Sequence, residues 1–162
     1  MHLFVVSVTL RNAAGDLLIV RKRGTSVFML PGGKVEPGES HAQAALREVA
    51  EEVGVVLDPA TVALLGHWTA PAANEPGWTI TSDVFTAPHT GEPIASAEIE
   101  ELRWLPLTGD GGVLPLAPLL TQHVIPALKR LPAFFAYGPS NDGRGDTSKR
   151  IDEILAEGFG ED

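Results

Sequence analysis

The segment that decides the fold, residues 31–55, reads PGGKVEPGESHAQAALREVAEEVGV. Its opening Pro-Gly-Gly predicts a loop, because proline removes a backbone donor and glycine permits backbone angles that other residues avoid. Ser40, followed three residues later by Gln43, forms a capping box, the pattern that marks the start of a helix. We therefore predict a loop that leads into a helix from about residue 41 to residue 53.

The predicted helix carries a single apolar stripe. Its members recur at three- and four-residue spacing, and they are Ala42, Ala45, Leu46, Val49 and Val53. Gly54 comes directly afterwards and suits the left-handed cap at which many helices end. A helix of this kind packs its stripe against a sheet and leaves the opposite face to polar side chains.

Three glutamates share the polar face of this helix. At about 100° per residue, Glu51 and Glu52 both lie within roughly 60° of Glu48 around the helix axis. Glu48 and Glu52 repel each other at i,i+4, and the helix dipole disfavours anions in the last turn, while Arg47 offers a partner to only part of this charge. One interpretation is a solvated acidic surface. The other is a site where a divalent cation converts the repulsion into coordination.

The preceding glycines and the composition indicate what kind of ligand such a site would take. Gly32 and Gly33 let backbone amides approach a ligand closely, just before a helix begins. A carboxylate cluster in a chain without Cys favours Mg²⁺ or Mn²⁺ over Zn²⁺. Since Mg²⁺ is usually shared between protein carboxylates and substrate phosphates, the residues predict a di- or polyphosphate substrate.

The spacing of these residues resembles the Nudix box. That pattern is Gly, five residues, Glu, seven residues, Arg-Glu-aliphatic, one residue, Glu-Glu, one residue, Gly-aliphatic, and every specified position is filled from Gly33 to Val55. The resemblance implies the Nudix fold, an α/β/α sandwich with a mixed β-sheet between helices. Together with the order of the predicted strands, it extends over about residues 3–131.

The resemblance also implies roles for individual residues. Glu48, Glu51 and Glu52 would bind Mg²⁺ (or Mn²⁺) and take part in catalysis. Arg47, also counted as catalytic, would orient these carboxylates through a salt bridge. Glu39 would support the loop and the start of the helix.

The general base is open, because Nudix enzymes use either a glutamate of the box or an acid outside it. Outside the box the candidates are Glu98, Glu100 and Glu101, just before the strand predicted to end at residue 105. We favour Glu98 as the catalytic acid of this group. The alternative is that all three belong to a solvated acidic loop.

Substrate contacts are predicted on both sides of the carboxylates. The candidate substrate-binding residues are Gly32, Gly33, Lys34, Arg23, Phe28 and Trp78. The basic side chains, with Arg21 and Lys22 beside Arg23, would meet phosphates, and the aromatic ones, with Trp68, would stack on a nucleobase. Each has a structural alternative, as a surface cation or as a core aromatic.

The rest of the chain fits an α/β domain at residues 1–136. Strands are predicted at residues 3–10, 17–20, 27–30, 62–68, 78–86 and 99–105, and together they form one mixed sheet. A glycine-rich turn at 109–112 precedes a second helix at about 118–131, which Pro126 is expected to break or kink. Residues 137–162 are expected to form a flexible linker and a short C-terminal helix rather than a second domain.

The composition limits partners and location. The net charge of −9 disfavours duplex nucleic acid as a partner, because such binding depends on Lys and Arg. The apolar start at residues 3–10 is too short to span a membrane, and the absence of Cys agrees with a cytoplasmic location. It also argues against the prenyl diphosphate isomerases of the family, which normally need a catalytic Cys. A homodimer is the expected assembly if the chain is not a monomer, since Nudix proteins are often dimers.

The sequence thus predicts a Mg²⁺-dependent pyrophosphohydrolase. Its substrate would be a nucleoside di- or triphosphate derivative, either a modified or ordinary nucleoside triphosphate or a compound like ADP-ribose, cleaved when a metal-activated water attacks phosphorus. The alternative is a Nudix-fold nucleotide-binding sensor without turnover. Loss of box carboxylates would favour the sensor, and here all are present.

Overall fold

The computed structural model describes residues 1–96, 98–108 and 113–131. These residues contain six strands: β1 His2–Thr9, β2 Leu17–Lys22, β3 Gly32–Gly33, β4 Ala63–Pro71, β5 Thr79–Thr86 and β6 Ile99–Leu105. The helices are α1 His41–Val53, a 3₁₀ turn at Pro59–Thr61, a π-helical turn at Leu120–Val124 and α2 Ile125–Arg130. The glycine-rich turn and the C-terminal tail predicted at 137–162 lie outside the described residues.

The strands form two sheets rather than the single sheet predicted. The larger sheet has the order β3-β1-β5-β4, with β1 and β5 parallel and the other neighbours antiparallel, so it is mixed as expected. The second sheet pairs β2 with β6 in antiparallel orientation. A bridge between Arg11 and Leu17 and a backbone bond from Leu18 N to Leu10 O join β2 to the end of β1.

Alternation along the strands builds two cores, one on each face of the β layer. Leu18 and Val20 of β2 are fully buried in the core beneath α1, which also holds Val49 and Val53 of the helix. Leu17 and Ile19 of the same strand point the other way, into the core that contains the C-terminal helical segment. Since successive strand side chains face opposite sides, one strand supplies both cores, as a sandwich requires. The α/β/α prediction is confirmed.

The strand predicted at 27–30 is wrong as a regular element. Phe28 and Met29 make only isolated bridges, to Leu116 and Val20. The short strand β3 lies instead at Gly32 and Gly33, which were predicted to form a loop and which pair with Ser7 and Val6 of β1. Neither glycine has a positive φ, so unusual backbone angles do not explain them. A Cβ on Gly32 would overlap the carbonyl oxygen of Val6, and close backbone approach is therefore the reason for glycine here.

The second helix passes through Pro126 without a break. Ile125 N donates to Leu120 O, a bond five residues back, and the preceding turn at Leu120–Val124 is π-helical. Proline lacks an N–H and crowds the carbonyl four residues earlier, and a wider turn relieves that crowding. Within the described residues, no helix has the length and apolar character needed to cross a bilayer.

Candidate active site

Helix α1 is held at both ends, and this sets the direction of its acidic face. Ser40 Oγ accepts from Gln43 N at 3.1 Å, and Gln43 Oε1 accepts from Ser40 N at 2.8 Å, so the capping box predicted from the sequence is confirmed. Gly54 adopts φ 68°, the left-handed cap, and donates to Ala50 O at 3.1 Å. Between these caps Ala45, Val49 and Val53 of the apolar stripe are buried, and Ala42 and Leu46 pack half-buried against the same core, which turns Glu48 and Glu52 toward strand β3.

Arg47 ties three of the box carboxylates together. Its guanidinium donates to both oxygens of Glu39, at 2.7 and 2.9 Å, and to the carbonyl of Lys34 at 3.0 Å. It also lies 2.9 Å from Glu48 Oε1 and 3.3 Å from Glu51 Oε2. The hydrogen bonds from Arg47 and from the Glu36 amide lower the pKa of Glu39 to about 2. Glu39 is therefore an anion across the physiological range, and it anchors Arg47 so that the arginine can orient the other two acids.

Glu52 is the most deeply buried acid of the face. Its side chain is 6 % exposed, Oε2 accepts from Gly32 N at 3.1 Å, and Oε1 lies 3.9 Å from Lys22 Nζ. Burial raises the pKa of Glu52 to about 7; the charges of Glu48 and Glu98 add to this, against the opposing effects of Lys22 and the Gly32 amide. The charged form of this carboxylate therefore lacks the solvation that water gives to an exposed acid, and Lys22 compensates for only part of that loss.

Glu48 occupies the space left by the second glycine of β3. A Cβ added to Gly33 would come within 2.5 Å of Glu48 Oε1, and the Glu48 side chain is only 14 % exposed. Gly32 therefore makes room for the backbone of β1, and Gly33 makes room for the Glu48 carboxylate. Their part in the site is to let β3 pass close to both β1 and α1.

Glu51 stands apart from the other two acids. Its side chain is 56 % exposed, and its Oε2 lies 3.3 Å from the Arg47 guanidinium. Within the described part of the chain, no three His, Asp or Glu side chains already converge as ligands of one ion. Glu48 and Glu52 flank β3, and Glu51 lies at the solvent edge of the same helix face.

The three acids near β6 differ in their partners. Glu100 Oε2 accepts from Arg23 at 2.7 Å, and Glu101 accepts from Arg103 at 2.6 Å and from Arg21 at 3.4 Å. The hydrogen bond from Arg103 is the main reason that the pKa of Glu101 lies below its usual range.

Glu98 is the acid of this group that the structure brings to the helix carboxylates. Its side chain is 77 % exposed, and Oε2 lies 4.0 Å from Lys22 Nζ, the same ammonium that lies 3.9 Å from Glu52. Lys22 thus stands between Glu52 and Glu98. Glu100 and Glu101 are instead paired with arginines.

The predicted substrate contacts are spread more widely. Lys34 is exposed directly after β3, and Arg23 is exposed but paired with Glu100. Phe28 is 3 % exposed within the second core, with the Arg103 guanidinium 5.9 Å from its ring centroid, so a base could stack on it only if that packing opened. Trp78 directly precedes Thr79, which pairs with His2 at the start of β1. The glycines of β3 pair with the same strand about 13 to 17 Å further along, so Trp78 lies well away from them.

The raised pKa of Glu52 predicts how stability depends on pH in the metal-free protein. Between about pH 4.5 and about pH 7 the folded chain keeps the Glu52 proton, whereas the unfolded chain has released it. The free energy of unfolding therefore falls as pH rises through this window. A pKa raised from 4.5 to about 7 corresponds to about 3 kcal/mol. Urea unfolding in EDTA at a series of pH values measures the fall. Glu52→Gln should remove it, and an unchanged fall in that variant would contradict the assignment.

Comparison with known proteins gives one family. A model described as the NUDIX domain matches residues 1–109. A Bacillus subtilis (strain 168) protein, provisionally named 8-oxo-dGTP diphosphatase, is 43 % identical over 47 residues, covering 29 % of this chain and 32 % of that protein. The ADP-ribose pyrophosphatase of Methanocaldococcus jannaschii is 40 % identical over 67 residues, covering 40 % of this chain and 38 % of that protein. These matches thus span about a third of each relative's length.

A solved structure agrees in fold. The crystal structure of a MutT NUDIX hydrolase from Burkholderia pseudomallei matches with a TM-score of 0.62 at 24 % identity, covering 82 % of this chain and 99 % of that chain. At this identity the likeness concerns the fold. The family model covers more than half of the chain and includes the whole of the capped, carboxylate-bearing helix, and the chain therefore belongs to the Nudix family.

Proposed function

We propose that the protein is a divalent-cation-dependent hydrolase that cleaves a phosphoanhydride bond of a nucleoside di- or triphosphate derivative. The observation that carries this is the meeting of Glu48 and Glu52 at β3, with Glu52 buried and its pKa raised to about 7. The two carboxylates are held together, and Lys22 lies near Glu52. A divalent cation bound between them would stabilise both in their ionised form. The family membership and the intact set of box carboxylates support the same activity.

The donor set fits Mg²⁺ or Mn²⁺. All the donors are carboxylate oxygens, and Mg²⁺ is usually bound through one or two carboxylates, with waters and substrate phosphates completing its shell. Glu48 and Glu52 would hold the ion, and Glu51 would join them by turning from Arg47. When bound, the ion supplies Lewis-acid chemistry: it lowers the pKa of a bound water and offsets the charge of the phosphates.

The side chains divide the remaining work. Arg47, anchored on Glu39, keeps Glu48 and Glu51 oriented. Glu98 accepts the proton of the attacking water, whose oxygen forms the new bond to phosphorus as the bond to the bridging oxygen breaks. The products are a phosphomonoester and phosphate, pyrophosphate or a second monoester.

The substrate class rests on the relatives and on the basic residues around the site. The two relatives carry names that refer to 8-oxo-dGTP and ADP-ribose, both phosphoanhydrides of nucleosides. In the proposed complex Lys34 and Arg23 contact phosphates, and the base lies toward Trp78 or Phe28. A cytoplasmic location and a homodimer stay predictions.

A panel assay tests the proposal. Ordinary and oxidised nucleoside triphosphates, nucleoside diphosphates, ADP-ribose and nucleoside diphosphate sugars are incubated with the protein and Mg²⁺, and phosphate, pyrophosphate and monoester release are scored. Turnover that EDTA abolishes and Mn²⁺ restores is the expected result. Binding of nucleotides without turnover of any of them would refute the hydrolase and favour the sensor.

A further inference from the structure

A short loop before β6 is bonded to the last carbonyls of helix α1. Ile94 N donates to Val53 O at 2.9 Å, and Ser96 N donates to Glu52 O at 3.0 Å. The Ser96 hydroxyl adds a bond to Glu51 O at 2.7 Å, with Glu52 O at 3.2 Å. We call residues 94–96 the strap. The last four carbonyls of a helix have no partner inside it, and the strap supplies partners to three of them.

The strap is hydrogen-bonded to the backbone carbonyls of Glu51 and Glu52, two of the acids of the site. The strap and the last turn of α1 are therefore expected to move together. The contacts join residues 44 and 45 positions apart in the chain. They are thus tertiary contacts, in addition to the cap that Gly54 provides.

Glu98 follows the strap two positions later in the chain. Ile99 N donates to Ser96 O at 3.1 Å, and Glu98 O accepts from Arg23 N at 2.8 Å. Two residues of chain reach at most about 7 Å, so the position of Ser96 limits where the backbone of Glu98 can lie. The Glu98 carboxylate then lies 4.0 Å from Lys22 Nζ, beside Glu52.

We propose that Ser96 is a positioning residue: its hydroxyl fixes the distance between Glu98 and the carboxylates of α1 by holding the strap on the backbone of Glu51 and Glu52. This inference rests on the proposed function, and it adds a residue outside the Nudix box. The hydroxyl does not contact substrate. It acts through Glu98, because a general base loses efficiency when its distance to the attacking water changes.

The first measurement is kinetic and uses the panel substrate with the highest turnover. Ser96→Ala is expected to lower kcat about tenfold with KM within about twofold, and Ser96→Thr, which keeps the hydroxyl, restores kcat to within about threefold. Thr61→Ala is the matched control, since it removes a hydroxyl that donates to a carbonyl, Asp58 O, at 2.8 Å in a turn outside the site. The control should match the wild type.

A double-mutant cycle separates positioning from a merely structural cap. If Ser96 acts through Glu98, adding Ser96→Ala to Glu98→Gln costs nothing further in kcat. An equal tenfold loss in both backgrounds would overturn the proposal, as would a Ser96→Ala variant with wild-type kcat.

A readout without turnover keeps this inference separate from the proposed function. Bound Mn²⁺ broadens the amide NMR signal of Glu98 with a steep dependence on distance. Ser96→Ala should reduce this broadening and Ser96→Thr should restore it, and an unchanged signal in Ser96→Ala overturns the positioning role. If the signal behaves as expected but the wild type hydrolyses none of the panel, the proposed function fails and the positioning of Glu98 stands.

Discussion

Replacing Glu52 by Gln is expected to lower kcat about a thousandfold in Mg²⁺ while the protein stays folded. A metal held by carboxylates supplies several kcal/mol of transition-state stabilisation, and each 1.36 kcal/mol is about tenfold in rate. Gln keeps the size of Glu, and its Oε1 can still accept from Gly32 N, where Glu52 Oε2 now lies at 3.1 Å. The charge that holds the cation is removed and the packing is kept.

The control for this variant is Asp58→Asn. It removes one negative charge from a residue outside the site, and Asn can still cap the 3₁₀ turn, where Asp58 Oδ1 accepts from Ala60 N at 3.0 Å. Steady-state kinetics, Mn²⁺ titration and thermal unfolding are measured on both variants. Glu52→Gln should bind Mn²⁺ weakly with a melting temperature at least as high as the wild type in EDTA at pH 8. A kcat within tenfold of the wild type would remove Glu52 from the metal site.

Gly32→Ala is expected to destabilise the fold by about 3 kcal/mol or more. The added methyl would overlap the Val6 carbonyl oxygen and come within 2.9 Å of the Ser7 Cα, and both are backbone atoms of a buried strand. The overlap is relieved only if β1 and β3 separate. That separation breaks their pairing and moves the Gly32 amide from which Glu52 accepts a hydrogen bond. Urea unfolding measures the loss directly.

Gly33→Ala provides the comparison. Its methyl would meet the Glu48 carboxylate, with the nearest atom at 2.5 Å, and a side-chain end can swing away where backbone cannot. We expect this variant to keep most of its stability and to bind Mn²⁺ more weakly. Equal stability losses in the two variants would show that the backbone contact at Gly32 is not the reason for glycine at that position.

Local patterns in the sequence predicted the helix and its ends well. The capping box at Ser40 and Gln43, the apolar stripe and the Gly54 cap all appear at the predicted residues. Each depends on residues three or four apart in one helix, and spacing along the chain settles such contacts. The same spacing put the three glutamates on one face.

Predictions that depended on pairing between distant strands were less accurate. Residues 27–30 look like a strand by composition, yet the regular pairing with β1 lies at Gly32 and Gly33. Strand formation there depends on how closely two backbones can approach, which hydrophobic pattern does not report. Contacts of Asp83 with two histidines are a further feature that spacing along the chain does not report. Asp83 accepts from both His41 and His67 at 2.5 Å, and although burial opposes it, these bonds hold the pKa of Asp83 below its ordinary value.

The sequence by itself determined the acidic helix and the box, because these follow from short-range spacing, and it predicts the class of cation from the chemistry of carboxylates. Only the tertiary structure decided which acid near β6 faces that helix and how it is held there. The pairing of β2 with β6 brings Lys22 between Glu52 and Glu98, and the strap bonds Ser96 to the end of α1. These neighbours come from different parts of the chain, and strand register and loop packing, rather than spacing, bring them together.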